Sequence, residues 1–317
     1  MALIDLIKQL RDRTGAGLMD CKAALLSNDE DLDKATDWLR EKGLAKAAKK
    51  ADRIAAEGLA LTKTCEKCGK TVILEVNCET DFVAKGDAFK ELVDNVAGAI
   101  LKNDPKDVEA AKELTVDLFT DATVKMGEKF DLRRFAVIEK TEGQYIYTYI
   151  HMGGKIAVVV VLDKDDAELG KGIAMHIAAN NPTYLSTDNI GSDAIEHETK
   201  IQLEAAKQDP KLAGKPEEML KKIIGGKVNK YFAEMVLLEQ PYLMDTESGK
   251  KVGLVLQENK ANVIKFVRYQ VGEGIEKRKD DFASEVMSQI KELFITKETP
   301  LVFLFLGGKP WHIKEFY

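Results

Sequence analysis

The sequence predicts an α+β fold with a three-helix N-terminal domain, two repeated antiparallel α+β core subdomains and an inserted helical hairpin. Three observations carry that prediction. Before residue 45, apolar residues recur at helical spacing in three stretches, broken at Gly15-Ala16-Gly17 and Ser27-Asn28. Between Gly58 and Val271, a strand hairpin followed by a helix and a later strand occurs twice. Two long charged helical stretches interrupt the second of these units.

The N-terminal stretches read as short helices over Leu3–Thr14 and Met19–Leu26, then a third after Asp29 carrying Leu32, Ala35, Trp38 and Leu39. Gly43 is the candidate C-cap of the third. So small a core suits an appended recognition module better than a catalytic domain. Ala45–Glu57, with Lys46, Lys49, Lys50 and Arg53, reads as a solvated helical linker, because no aromatic is interleaved for stacking on bases.

Gly58–Thr64 and Lys70–Cys78 read as hairpin strands around a Cys65-Glu66-Lys67-Cys68-Gly69 turn. Leu74, Val76 and Cys78 alternate with Glu75, Asn77 and Glu79, the pattern of a half-buried strand. A helix over Phe82–Leu101 follows, with Thr80 or Asp81 as its N-cap. Phe82 thus stands at a strand-to-helix corner beside a carboxylate, as either a core plug or a probe for a partner. Periodicity alone favours the plug.

The unit closes with a strand over Arg133–Glu139. Its counterpart has strands over Gln144–Ile150 and Lys155–Leu162 around a His151-Met152-Gly153-Gly154 turn, a helix over Ala167–Asn180 and a strand over Val263–Val271. Lys70–Val76 aligns with Lys155–Val161. The inserted hairpin joins Asp193–Gln208 to Pro216–Leu237 through Asp209–Lys215, and serves as a stabilising arm or as a contact with a second copy or a partner. Asp281–Phe294 reads as a last amphipathic helix and Pro300–Leu306 as a short apolar strand.

The chain has 317 residues, 45% of them apolar, enough for a sizeable core and more than one domain. With 47 basic and 53 acidic residues the net charge is −6, which argues against general nucleic-acid binding. No apolar run reaches the ~18–20 residues of a membrane span. The amphipathic start does not read as a signal peptide. Four scattered cysteines do not make a secreted disulfide scaffold, so a cytoplasmic location is expected.

Chemistry-bearing motifs are few. Cys65-x-x-Cys68 is half of a zinc knuckle, but no second pair supplies the remaining ligands. A thioredoxin-like role needs the pair at a helix N-terminus, and here it sits in a hairpin turn. An ordinary turn is preferred, with a zinc- or thiol-dependent protein using Cys65 and Cys68 as the alternative function. Of the histidines, only His151 lies on a suggestive turn; His176 reads as a satisfied core or surface residue. There is no phosphate loop or nucleophile elbow, and the expectation is a protein that is not an enzyme and has no cofactor.

Three longer stretches resemble the elongation factor Ts family. They are Leu10-Arg-Asp-Arg-Thr-Gly-Ala-Gly-Leu-Met-Asp-Cys-Lys-Ala-Ala-Leu25, Glu75-Val-Asn-Cys-Glu-Thr-Asp-Phe-Val-Ala84 and Phe266-Val-Arg-Tyr-Gln-Val-Gly-Glu-Gly-Ile-Glu-Lys277. They occur in order over roughly residues 1–289. The resemblance implies a nucleotide-exchange factor that contacts elongation factor Tu, with no direct nucleic-acid or membrane partner. It reverses the reading of Phe82: Thr80, Asp81, Phe82 and Val83 would act at the GTPase magnesium site, with Asp81-Phe82 as the wedge. Arg11, Leu18, Met19, Lys22, Met126, Gly127 and His151 carry over as further contacts. Leu18 stands where methionine is common in relatives.

The implied division is a ubiquitin-associated-like domain over 1–55, a core N-subdomain over 56–141, and a core C-subdomain over 142–191 and 238–275. The hairpin, a coiled coil, covers 192–237 and is a possible homodimer contact. A C-terminal helical module covers 276–295. The segment from about Ile290 to Tyr317 has no counterpart in the resemblance, and 296–317 is left as an unassigned tail.

Overall fold

The computed structural model describes residues 2–209, 216–245 and 247–276. Most of the expected turn at 209–215, the helix at 281–294 and the strand at 300–306 lie outside the described residues. So do the modules expected over 276–295 and 296–317, apart from Glu276.

Helices α1 (Leu3–Thr14), α2 (Leu18–Ser27) and α3 (Leu32–Lys49) enclose a small core of Leu6, Ile7, Leu10, Cys21, Ala24, Leu25, Ala35 and Leu39. Gly15, at φ 67, ends α1. The Asp31 side chain caps α3 by accepting from the Asp33 and Lys34 N–H groups. One expectation fails here: α3 does not stop at Gly43 but runs on to Lys49, absorbing part of the supposed linker. Gly43 is a contact point instead, since a Cβ there would lie 2.5 Å from Val124 Cγ2. It lets α3 press against α6 (Val108–Met126).

Strands β1 (Glu57–Cys65), β2 (Lys70–Cys78) and β3 (Phe130–Glu139) form an antiparallel sheet with β2 in the centre. Strands β4 (Tyr145–His151), β5 (Ile156–Leu162) and β6 (Val263–Gln270) form a second, with β5 central. Helix α5 (Asp87–Asn103) and α6 cover the first sheet through Phe89, Leu92, Val93, Val96, Ala97, Ile100 and Ala111. Helix α7 (Ala167–Asn180) covers the second through Leu169, Ile173, Ala174 and Ile177.

The opposite faces of the two sheets pack on each other. Ala60, Ile73 and Ile138 meet Ala157, Val159 and Val161, and the small alanines let the sheets approach closely. This corrects the reading of β2 as half-buried. Glu75 and Asn77 face the second sheet and are only 0% and 1% exposed. Glu75 accepts from Arg133 at 3.0 Å, from Arg134 at 2.6 Å and from the Gly272 N–H at 2.8 Å. A β-bulge makes the double arginine contact possible: Glu75 pairs with Arg134 and Val76 with Leu132, leaving Arg133 as the extra residue.

The repeat is present, but the sequence alignment is one residue out. Cys65 pairs with Lys70 at the end of the first hairpin, and His151 with Ile156 at the end of the second. Lys70 therefore corresponds to Ile156, not Lys155. With that register Val72, Leu74 and Val76 match Val158, Val160 and Leu162 on the helix-covered faces. A one-residue slip would have put them on the wrong face. The bulge repeats too, with Ile264 skipped between partners of Val161 and Leu162.

The insertion is α8 (Ser192–Gln208) and α9 (Glu217–Ala233), packed through Ala206, Ile224, Val228 and Phe232. Helix α10 (Val252–Glu258) leads into β6. No described helix is long and apolar enough to cross a membrane.

Candidate functional site

The chain leaves β2 at Cys78 and turns into a one-turn helix, α4 (Asp81–Lys85). The expected single helix over Phe82–Leu101 is thus two. Gly86, extended at φ −70 and ψ 146, ends α4 and starts α5. The Thr80 hydroxyl caps α4, accepting from the Val83 N–H at 3.3 Å.

Ala84 is buried and Val83 packs against the core under α5, which seats the short helix. Phe82 points the other way and is 84% exposed, so it is not a core plug. Asp81 pairs with Lys85 at 2.6 Å. Hydrogen bonding from Lys85, reinforced by its charge, holds the Asp81 carboxyl below the usual carboxylate range.

Two carboxylates that sequence reasoning missed brace this corner. Glu128 accepts from the Glu79 N–H at 3.0 Å, the Thr80 N–H at 3.1 Å and the Thr80 hydroxyl at 2.6 Å. Glu79 answers by accepting from the Lys129 N–H at 2.7 Å, and pairs with Arg53 at 3.1 Å. Lys129 donates to the Ala51 and Arg53 carbonyls at 2.5 and 2.9 Å. Each half of this lock looks like an ordinary surface charge in sequence; only the reciprocal spacing across the two segments gives it away.

Glu128 follows Met126-Gly127, so the lock brings two of the expected contact segments together. Gly127, at φ 75, ends α6, and its carbonyl accepts from Lys50. The N-terminal loop is close by, because a Cβ on Gly15 would lie 3.2 Å from the Lys125 side chain. Beyond that loop Leu18 and Met19, at the start of α2, are 52% and 70% exposed. Arg11 and Lys22 are exposed as well.

His151 ends β4, and its Nδ1 lies 3.0 Å from the Tyr149 hydroxyl. Met152 next to it adopts φ 49 and is exposed. This turn is tied to the end of the first sheet where β2 gives way to the corner. The Gly154 carbonyl accepts from the Ala60 N–H, and Lys155 pairs with Glu57, the strand partner of Cys78, at 2.5 Å. The charge of Lys155 also helps to hold Asp81 ionised. No direct contact joins His151 to Phe82 among those described.

Cys65 and Cys68 sit at the other end of β2 from this corner. Among the described residues no group of three or more His, Cys, Asp or Glu side chains lies where a metal ion could be held. What the corner offers is a rigidly mounted aromatic beside a carboxylate. Compared with known protein families, the chain matches the model described as Elongation factor TS over residues 79–273, more than half its length.

Proposed function

The chain belongs to the elongation factor Ts family, whose role is nucleotide exchange on elongation factor Tu, and from that premise we propose that Asp81-Phe82 is the wedge that drives GDP release. The observation that carries this reading is a bulky aromatic, 84% exposed, on a backbone fixed by the Thr80 cap and the Glu128 bonds. Such exposure has no folding benefit, whereas burying the ring in a partner is worth about 1.5–3 kcal/mol.

The mechanism is differential binding. A factor that bound the GDP–magnesium form and the nucleotide-free form equally would shift nothing. Phe82 gains its pocket only when a Tu helix moves. Loss of the magnesium contacts then removes an anchor of the diphosphate. GDP leaves, GTP enters, and the factor is released with no covalent bond changed.

Arg11, Leu18, Met19 and Lys22, the Met126-Gly127 loop and the His151 turn serve as flanking contacts in this reading. The N-terminal helices act as a ubiquitin-associated-like recognition domain over 1–55, and the two sheet units as core subdomains over 56–141 and over 142–191 with 238–275. The hairpin over 192–237 leaves Ile201, Met219 and Tyr231 exposed, which suits pairing of two copies.

Release of fluorescent GDP from elongation factor Tu tests the central point. The Phe82→Ala variant should lose about ten- to a hundredfold in the second-order rate of catalysed release, the equivalent of the lost burial. Because the ring is exposed, the variant's own stability should stay within about 0.5 kcal/mol of wild type. Unchanged catalysed release by the variant would sink the wedge.

A further inference from the structure

We propose that Cys65 and Cys68 form a dithiol site that reduces a low-molecular-weight disulfide and closes to an intramolecular disulfide across the first hairpin turn. The proposal is independent of nucleotide exchange, since the turn lies at the far end of β2 from Phe82.

The geometry begins with the hairpin. Cys65 is the last residue of β1 and pairs with Lys70, the first of β2, so the four residues between them form the whole turn. Within it the Cys68 N–H donates to Cys65 Sγ at 3.3 Å, and Cys68 Sγ donates to the Cys65 carbonyl at 3.6 Å. Residues three apart in a tight turn have Cα atoms within about 7 Å. A disulfide needs about 4.4–6.8 Å, and the 3.3 Å contact of the Cys68 N–H with Cys65 Sγ already holds the two residues side by side.

The turn is also anchored. Gly69 takes φ 63, and its carbonyl accepts from the Lys140 N–H at 2.8 Å. Lys70 pairs with Asp104 beside it. Cys65 is half-buried and Cys68 exposed, whereas Cys21 and Cys78 are buried. A solute can therefore reach only this pair.

The two thiols are not equivalent. The nearness of the Cys68 thiol, then the Cys68 N–H, pulls the Cys65 thiol below its ordinary range, with Lys67 adding a positive charge. The same contact pushes the Cys68 thiol up, so Cys65 is the first of the two to give up its proton. Cys65 is then the attacking thiolate and Cys68 the resolving thiol.

The step balances as follows. Cys65 sulfur attacks one sulfur of R–S–S–R; that bond breaks and RS⁻ leaves, taking up a proton. Cys68, on giving its proton to solvent, attacks Cys65 sulfur. The Cys65–S–R bond breaks and a second thiol departs. The disulfide is reduced by two electrons to two RSH, and the pair is oxidised by two.

The test treats the full chain with glutathione disulfide in graded ratios to reduced glutathione, traps free thiols by alkylation and reads masses by peptide. The expected product is loss of two hydrogens on the Cys65–Cys68 peptide, with Cys21 and Cys78 still thiols. The Cys68→Ser variant should accumulate a glutathione adduct on Cys65. The Cys65→Ser variant should react about tenfold more slowly or worse, for want of the activated thiolate. A persistent adduct on wild type, equal rates for the two variants, or stoichiometric zinc held by the pair in protein isolated without chelator would each overturn the proposal.

Discussion

Replacing Glu128 with alanine removes the brace under Phe82 without touching Phe82 itself. The carboxylate accepts three hydrogen bonds, from the Glu79 N–H, the Thr80 N–H and the Thr80 hydroxyl. A hydrogen bond to a charged group contributes about 1.5–3 kcal/mol when shielded from water. Only the Glu79 bond is partly buried, and exposed contacts are worth about 0.2–1 kcal/mol each. The corner should therefore lose at least about 2 kcal/mol, roughly a thirtyfold or greater fall in the ratio of held to loose corners.

If Phe82 acts only from the held corner, catalysed GDP release at low factor concentration falls by up to that factor. Glu128→Gln keeps an oxygen for both N–H groups and presents an amide to Thr80 Oγ, so it should retain most of the activity. Urea unfolding gives the stability of each variant, and release of fluorescent GDP gives its exchange rate. Wild-type exchange in a Glu128→Ala protein that has lost the expected stability would refute the claim that the mounting of the aromatic matters.

Glu75→Ala should cost about 3 kcal/mol in urea unfolding, because it takes the buried carboxylate from Arg133 and Arg134, leaving Arg134 with its Glu273 ion pair at 3.1 Å; a loss under 1 kcal/mol would show that water replaces the carboxylate. Gly58→Ala should cost at least about 2 kcal/mol, since a Cβ would meet the Val76 carbonyl at 2.1 Å from a backbone at φ 148, and wild-type thermal stability would contradict that geometry. His176 gives a pH signature. Burial holds its imidazole below the ordinary range; Nδ1 accepts from the Leu243 N–H while Nε2 lies 2.9 Å from Gln240 Oε1. The unfolded chain then binds the extra proton, so this contribution is complete above the ordinary pKa of about 6.5 and is lost as pH falls through it. A His176→Gln variant should show a flatter fall in stability between pH 7.5 and 5.5 than wild type, and an equal slope would remove His176 as its cause.

The sequence showed most where local chemistry decides the backbone. The helix Ala167–Asn180 was legible to the residue, because Asp166 caps its start and Asn181 closes it in the left-handed region. It showed least where tertiary contact reassigns a residue. Gly43 has the composition of a helix stop, yet the approach of Val124 makes it a packing point inside one. Glu75 and Asn77 read as a solvent face because nothing local announces a second sheet above them. Of the candidate site, the Thr80 cap and the exit from β2 were visible in sequence. The direction of Phe82 was not, because periodicity cannot see the break at Gly86. Nor could it see Glu128, which lies 48 residues from the threonine it holds.

The extra residue in β3 has a consequence for how this chain tolerates change in length. Before Arg133, the side chains turned toward the helices are Phe130 and Leu132; after it they are Phe135 and Val137. The strand thus changes step, from even to odd positions, at the two arginines. Deleting either one would leave a single outward residue between Leu132 and Phe135, so the regular two-residue rhythm returns with all four apolar side chains still facing the helices, at the cost of one arginine on Glu75. Ile264 marks the same change of step in β6, with Val263 and Phe266 on its helix-facing side. At these two places a single-codon deletion should disturb the fold less than one elsewhere in the same strands, which would send the apolar side chains on one side of it to the opposite face.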